Sequence, residues 1–140
     1  MYKTILIPVS GKNGLSRART ALRSALPLTQ GEIVLLHIFD PMSLVVGGQD
    51  HADLLADARA KGQTLLNTIG AELKQKNLPC RCRVEEGTVA ETIVRVAHEE
   101  NADLIVMYTD GRDGLQDMML GSITERVLRH TDTTLLAVRR

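Results

Sequence analysis

Five short strand-like runs alternate with four stretches of helical spacing, and this alternation most restricts what the chain can form. Ile5-Leu6-Ile7, entered through Lys3-Thr4 and closed by Pro8-Val9, is a continuous apolar run of the kind a parallel strand covered on both faces requires. Ile33–Phe39, Cys80–Glu86, Leu104–Tyr108 and Thr134–Val138 supply the other strands. Between them, Leu15, Ala18, Leu22 and Ala25 repeat at helical spacing, with Arg17, Arg19 and Arg23 expected to face outward. Leu54, Leu55, Ala58, Leu65, Leu66, Ile69 and Leu73 predict a long amphipathic helix from about Asp50 to Lys76, with Gly62 on its apolar stripe for close packing. Ala90, Ile93, Val94 and Ala97 mark a third helix, and a fourth runs from Ser122 to about Arg129. Strands alternating with helices predict an α/β fold: an open five-stranded parallel sheet with helices on both faces. Right-handed crossovers restrict the winding, and the strand order expected is 3-2-1-4-5. Ligands in such sheets sit beyond the C-terminal strand ends where the order reverses, here between strands one and four.

Size and charge narrow the function. The 140 residues are most simply one domain, spanning positions 1–140. Seventeen basic residues cancel seventeen acidic ones, so no strong field steers the chain to nucleic acid or to an anionic membrane. With no Trp and one Phe, it lacks aromatic platforms for single-stranded nucleic acid. No apolar run approaches the roughly 20 residues that span a bilayer, and Met1–Ile5 lacks the apolar core of a signal peptide, so a cytoplasmic location is expected. Cys80 and Cys82 would project from one strand face with Cα atoms about 7 Å apart, too far for an easy disulfide. They read as sheet-face thiols, because a metal site needs about four ligands and no second cluster lies nearby in sequence. His37 reads as a polar member of the second strand, since no nucleophile or acid partner is evident.

The stretch from Ala102 to Val127 carries the chemistry. A buried strand is followed by a loop holding Gly111 and Gly114, and then by Gly121-Ser122 opening a helix. Loop amides and a helix N-terminus in that order can form an anion site. The same residues have a plainer reading. Ser122 with Glu125, like Thr88 with Glu91, has the spacing of a capping box, and Asp110-Gly111 is a turn signal. Asp110, Asp113 and Asp117 could hold a metal, but a solvated acidic loop is the simpler reading, and no base–nucleophile pair points to an enzyme. Met42–Val46 is an apolar loop, read as a lid, a partner contact or a segment tucked on the core.

The residues together resemble one family. Ile5-Leu6-Ile7-Pro8-Val9, Leu35-Leu36-His37-Ile38, Glu85-Glu86-Gly87, Ala102–Met107, Leu120-Gly121-Ser122, Glu125-Arg126-Val127 and Leu136-Ala137-Val138-Arg139 are similar to the universal stress protein family from end to end. The resemblance implies an adenine nucleotide alpha hydrolase-like sheet. It also implies a homodimer through the last strand, Thr134–Val138, and ATP, with or without Mg²⁺, bound through Gly-x2-Gly-x9-Gly-Ser/Thr. Gly111, the nine-residue interval, Gly121 and Ser122 match that pattern, while Tyr108 replaces its first glycine and Ser10 its usual Asp. By resemblance, Pro8, Ser10, Ile38 and Met107 stand at the nucleoside end, and Gly111, Gly121, Ser122, Ile123 and Thr124 at the phosphates. A hydroxyl in place of a carboxylate forfeits on the order of 1–2 kcal/mol, or roughly tenfold in affinity. A Tyr108 ring in the cleft would exclude the sugar, whereas a ring turned away would leave a backbone contact. Two functions therefore stand: a nucleotide-binding module, or a dimeric interaction protein that holds no nucleotide.

Overall fold

A computed structural model describes residues 1–10, 13–44, 50–109 and 121–139. Its five strands are β1 (Tyr2–Pro8), β2 (Thr29–Phe39), β3 (Cys80–Glu86), β4 (Leu104–Tyr108) and β5 (Thr134–Val138), all paired in parallel in the order 3-2-1-4-5. The helices are α1 (Gly14–Ala25), α2 (His51–Gln75), α3 (Val89–Glu99) and α4 (Ser122–His130). The expected order is the observed one.

Strand β1 is central, and this explains its unbroken apolar run. Ile5, Leu6 and Ile7 are all 0% exposed because both sheet faces are covered. The pleat sends alternate residues to opposite sides. Ile5, Ile7, Leu35, Leu104 and Val106 pack with Ala18 and Leu22 of α1 and Leu66 and Ile69 of α2. Leu6, Val34, Leu36, Ile105 and Met107 pack with Ile93 and Val96 of α3 and Val127 of α4. Each fully buried aliphatic side chain contributes about 1.5–3 kcal/mol, so the paired cores hold the helices to the two faces.

Three local features differ from the sequence expectation. Strand β2 begins at Thr29 rather than Ile33, with its polar first residues paired to the start of β1. The register moves from Tyr2↔Thr29 to Thr4↔Glu32, so β2 carries one extra residue there, and a Cβ on Gly31 would overlap the Lys3 carbonyl. Glycine is what a bulge with such close backbone approach needs. Thr88 precedes α3 without a side-chain capping bond; Thr92 Oγ1 instead donates to the Thr88 carbonyl at 2.7 Å, and Glu91 pairs with Arg126 of α4 at 2.6 Å. The apolar stretch after β2 starts as a 3-10 turn over Pro41–Leu44, in which Met42 is 79% exposed rather than tucked on the core. The remainder of that stretch, Val45 and Val46, lies outside the described residues.

The close packing at Gly62 and the sheet-face place of the two cysteines are as expected. Asp50 caps α2, its carboxylate accepting from the Ala52 amide at 3.0 Å. Gly62 is the close-packing point of that helix: a Cβ there would overlap Cδ2 of His37. Cys80 and Cys82 are half-buried thiols on the α2 face of β3. At the opposite end of the sheet, the Asp103 carboxylate accepts from the main-chain amides of both Lys3 and Thr4, each at 2.9 Å. Burial opposes its charge, but these two amides prevail and hold its carboxyl below the usual carboxylate range.

Candidate functional site at the C-terminal edge of the sheet

All five strands end at one edge, and that edge also carries the N-termini of the helices that follow them. Parity then sorts the candidate residues. Met107 is buried on the α3/α4 face, and Ile38 packs there too, half-buried. Pro8, half-buried, follows Leu6 by two residues and belongs to the same face. Ser10, exposed, comes just beyond the end of β1. The start of α4 closes that side, with Val127 anchored against Ile105 and Met107. Thus Ile38, Met107 and Val127 of α4 pack on one sheet face, and Pro8 lies on that face by parity.

Tyr108 goes the other way. It follows Leu104 and Val106 toward α1, and its ring lies beneath the Arg17 guanidinium, 5.2 Å from carbon to ring centroid. Arg17, expected to face outward, is half-buried on this account. The ring therefore sits on the sheet face opposite the start of α4, and only the backbone of Tyr108 borders both sides.

The next residue, Thr109, was not signalled by the sequence. It is 2% exposed, its amide donates to the Val138 carbonyl at 2.9 Å, and its Oγ1 accepts from the Gly121 amide at 2.9 Å. A threonine after a strand has no distinctive pattern; only the position of α4 gives it meaning. Gly121, not Ser122, is the residue that caps α4, with extended φ −60° and ψ 152° and no side-chain capping bond. Glu125, expected to complete a capping box, pairs with Arg129 at 2.7 Å. The first-turn amides of Ser122, Ile123 and Thr124 precede the first intrahelical bond, Glu125 N–H to the Gly121 carbonyl at 3.0 Å. Ser122 and Ile123 are exposed, whereas Thr124 is turned inward and 2% exposed. A helix start whose capping residue has no side chain, carrying the positive end of the helix dipole, suits an anionic group.

Gly111 lies outside the described residues, as do Asp110, Asp113, Gly114 and Asp117. An open groove of about 280 Å³ along the flank of α4 is lined by Ser122, Glu125, Arg126, Arg129 and His130. Arg126 and Arg129 are committed to Glu91 and Glu125, so that groove offers less positive charge than its composition suggests. Among the described residues, no group of three or more His, Cys, Asp or Glu is arranged to hold a metal ion, and no helix is long and apolar enough to cross a membrane.

Known proteins share this arrangement. The model of the universal stress protein family matches residues 1–139. Universal stress protein MJ0531 of Methanocaldococcus jannaschii is 29% identical over 143 residues, covering 100% of this chain and 84% of the relative. The solved structure of MJ0577 from the same organism superposes with a TM-score of 0.84 at 26% identity, covering 100% of this chain and 97% of that one. A universal stress family protein of Arabidopsis thaliana, solved with AMP bound, shares the fold at 17% identity and a TM-score of 0.69, covering 99% of this chain and 92% of that one. With the strand order, the divided cores and the glycine-capped last helix all in agreement with a match across 1–139, the chain belongs to the universal stress protein family.

Proposed function

We propose that this protein is an adenine-nucleotide-binding module of the stress response, taking ATP at the C-terminal strand edge between β1 and β4. The observation that carries the reading is the start of α4. Gly121 places no side chain over the helix end, and the amides of Ser122, Ile123 and Thr124 precede the first intrahelical bond. Those amides and the Ser122 hydroxyl would hold phosphate oxygens, with Gly111 completing the cradle. Pro8, Ser10, Ile38 and Met107 would border the nucleoside, and Tyr108, turned toward Arg17, would contribute only its backbone. Mg²⁺ would arrive with the phosphates. The AMP held by the Arabidopsis relative supports the ligand class. We propose further that the module is a cytoplasmic homodimer paired through β5, an edge strand of the sheet. Titrating ATP with Mg²⁺ while following the melting temperature tests the reading; no shift at millimolar ATP overturns it.

A second reading has its own observation. The Gly121 amide is already taken by Thr109, and Ser10 offers no carboxylate to a ribose. On this reading the protein is a dimeric interaction partner that holds no nucleotide. Ser10→Asp separates the two. ATP binding that appears only in that variant supports the second reading, and ATP binding already present in the parent supports the first.

A further inference from the structure

Strand β1 leaves the sheet under the control of a side chain. Its ladder with β2 runs to Pro8↔Leu36, and the Val9 amide adds one bond to the Leu36 carbonyl at 2.7 Å. In that register the next facing pair is Val9 and His37. The ladder stops there, and the imidazole takes the place of a main-chain donor: His37 Nδ1 lies 2.8 Å from the Val9 carbonyl oxygen. A carbonyl only accepts, so Nδ1 carries the proton, and in the neutral ring Nε2 is the acceptor. The residue is 9% exposed, and α2 packs so closely on its ring at Gly62 that a Cβ there would overlap Cδ2. The ring is thus fixed from the helix side while it grips the strand end.

Val9 stands between Pro8, the last residue of β1, and Ser10, both assigned to the nucleoside. The buried Val9 side chain and the Val9 amide anchor the strand end, but neither holds the Val9 carbonyl. With the carbonyl held as well, the peptide plane leading into Ser10 has a set direction. We propose that His37 is a positioning residue of the nucleotide site, aiming Ser10 and the exit of β1 by holding the Val9 carbonyl. This inference rests on the nucleotide reading of the cleft.

The test uses the full chain with His37→Asn, His37→Gln and His37→Leu. Asn can present an N–H close to the place of Nδ1, Gln reaches only toward Nε2, and Leu has neither. Affinity for a fluorescent ATP analogue is measured well below the unfolding midpoint, and exchange of the Val9 amide is followed by NMR. His37→Leu and His37→Gln are expected to lose about tenfold in affinity, the scale of one misplaced hydrogen bond, with His37→Asn within about threefold of the parent. The Val9 amide is expected to exchange faster in the first two variants and at the parental rate in the third. Should His37→Leu fail to fold, His37→Gln against His37→Asn carries the comparison. Equal affinity in all variants, a loss shared equally by His37→Asn, or parental Val9 exchange in every variant overturns the role of His37 alone. A parent that binds no ATP overturns the nucleotide reading itself, and this role falls with it.

Discussion

The Gly121 amide donates to the Thr109 hydroxyl at 2.9 Å, so the residue that caps α4 is tied to the one that follows β4. Thr109 is itself held by the Val138 carbonyl, which makes it a three-way junction of β4, β5 and α4. Thr109→Val keeps the shape and removes the acceptor. It is expected to cost about 1–2 kcal/mol in urea unfolding, the penalty of stranding one largely buried donor. Thr109→Ser is expected to recover most of that loss.

Two glycines of α2 make a matched pair. A Cβ at Gly62 would overlap His37, whereas a Cβ at Gly70 would meet Cys82 Sγ at 3.6 Å, an ordinary contact. Alanine favours a helix interior by about 1 kcal/mol over glycine. Gly70→Ala is therefore expected to raise the melting temperature. Gly62→Ala is expected to lower stability by about 1–3 kcal/mol, because overpacking outweighs the propensity gain. Thermal denaturation of the two variants side by side reads the difference in sign.

Acid should weaken the β3 edge first. Arg81 bridges Glu32 and Glu100, while Arg83 meets Glu85, Glu99 and Glu100 at 3.4, 2.9 and 3.0 Å. Hydrogen bonds from Arg81 are the main reason the Glu32 and Glu100 carboxyls lie below their usual range. At Glu85 burial works against the charge, but Arg95 and Arg83 outweigh it. Carboxyls lowered by folding bind protons more readily in the unfolded chain. The stability they add is therefore whole above about pH 4.3 and drains away as pH falls through their lowered folded values. Arg83→Met leaves three carboxylates without their shared cation. It is expected to cost about 1–2 kcal/mol at neutral pH, between the exposed and buried cases, and to move the acid-unfolding midpoint upward.

The β3 thiols should be inert. Burial, with the neighbouring Cys82 adding to it, pushes the Cys80 thiol up to about 12. Almost none is thiolate at pH 8, and the thiolate is the nucleophile. Reaction of the folded protein with Ellman's reagent is expected to be more than about a hundredfold slower than in concentrated urea. Comparable rates in the two conditions would show that β3 and α2 separate readily.

Much of the fold was legible because Ile5-Leu6-Ile7 and Ile33–Phe39 could only be strands covered on both faces, and the helices between them had room for parallel crossovers. The order 3-2-1-4-5 was suggested by that alternation, and the strand pairings establish it. Local side-chain pairings were less legible. Glu91 and Glu125 had capping-box spacing, yet Glu91 reaches Arg126 on another helix and Glu125 reaches Arg129 one turn on. Spacing along the chain cannot report a competing arginine brought close by packing. The candidate site was half legible. The glycine at 121 and the apolar neighbours at Pro8, Ile38 and Met107 could be named, but Thr109 and the Arg17–Tyr108 stack depend on which sheet face each residue takes. Parity of that kind is decided by the register of β4, with Leu6↔Ile105 fixing it.

The grip of Asp103 on the amides of Lys3 and Thr4 bears on how this chain emerges from a ribosome. The first strand made is the middle strand of the finished sheet, and one of its flanks is supplied only by residues from Asp103 onward. While the intervening helices are being translated, that flank has no native neighbour. A nascent chain stalled short of Asp103 therefore displays the open edge of a strand with Ile5-Leu6-Ile7 at its centre, the state that a holding chaperone would meet.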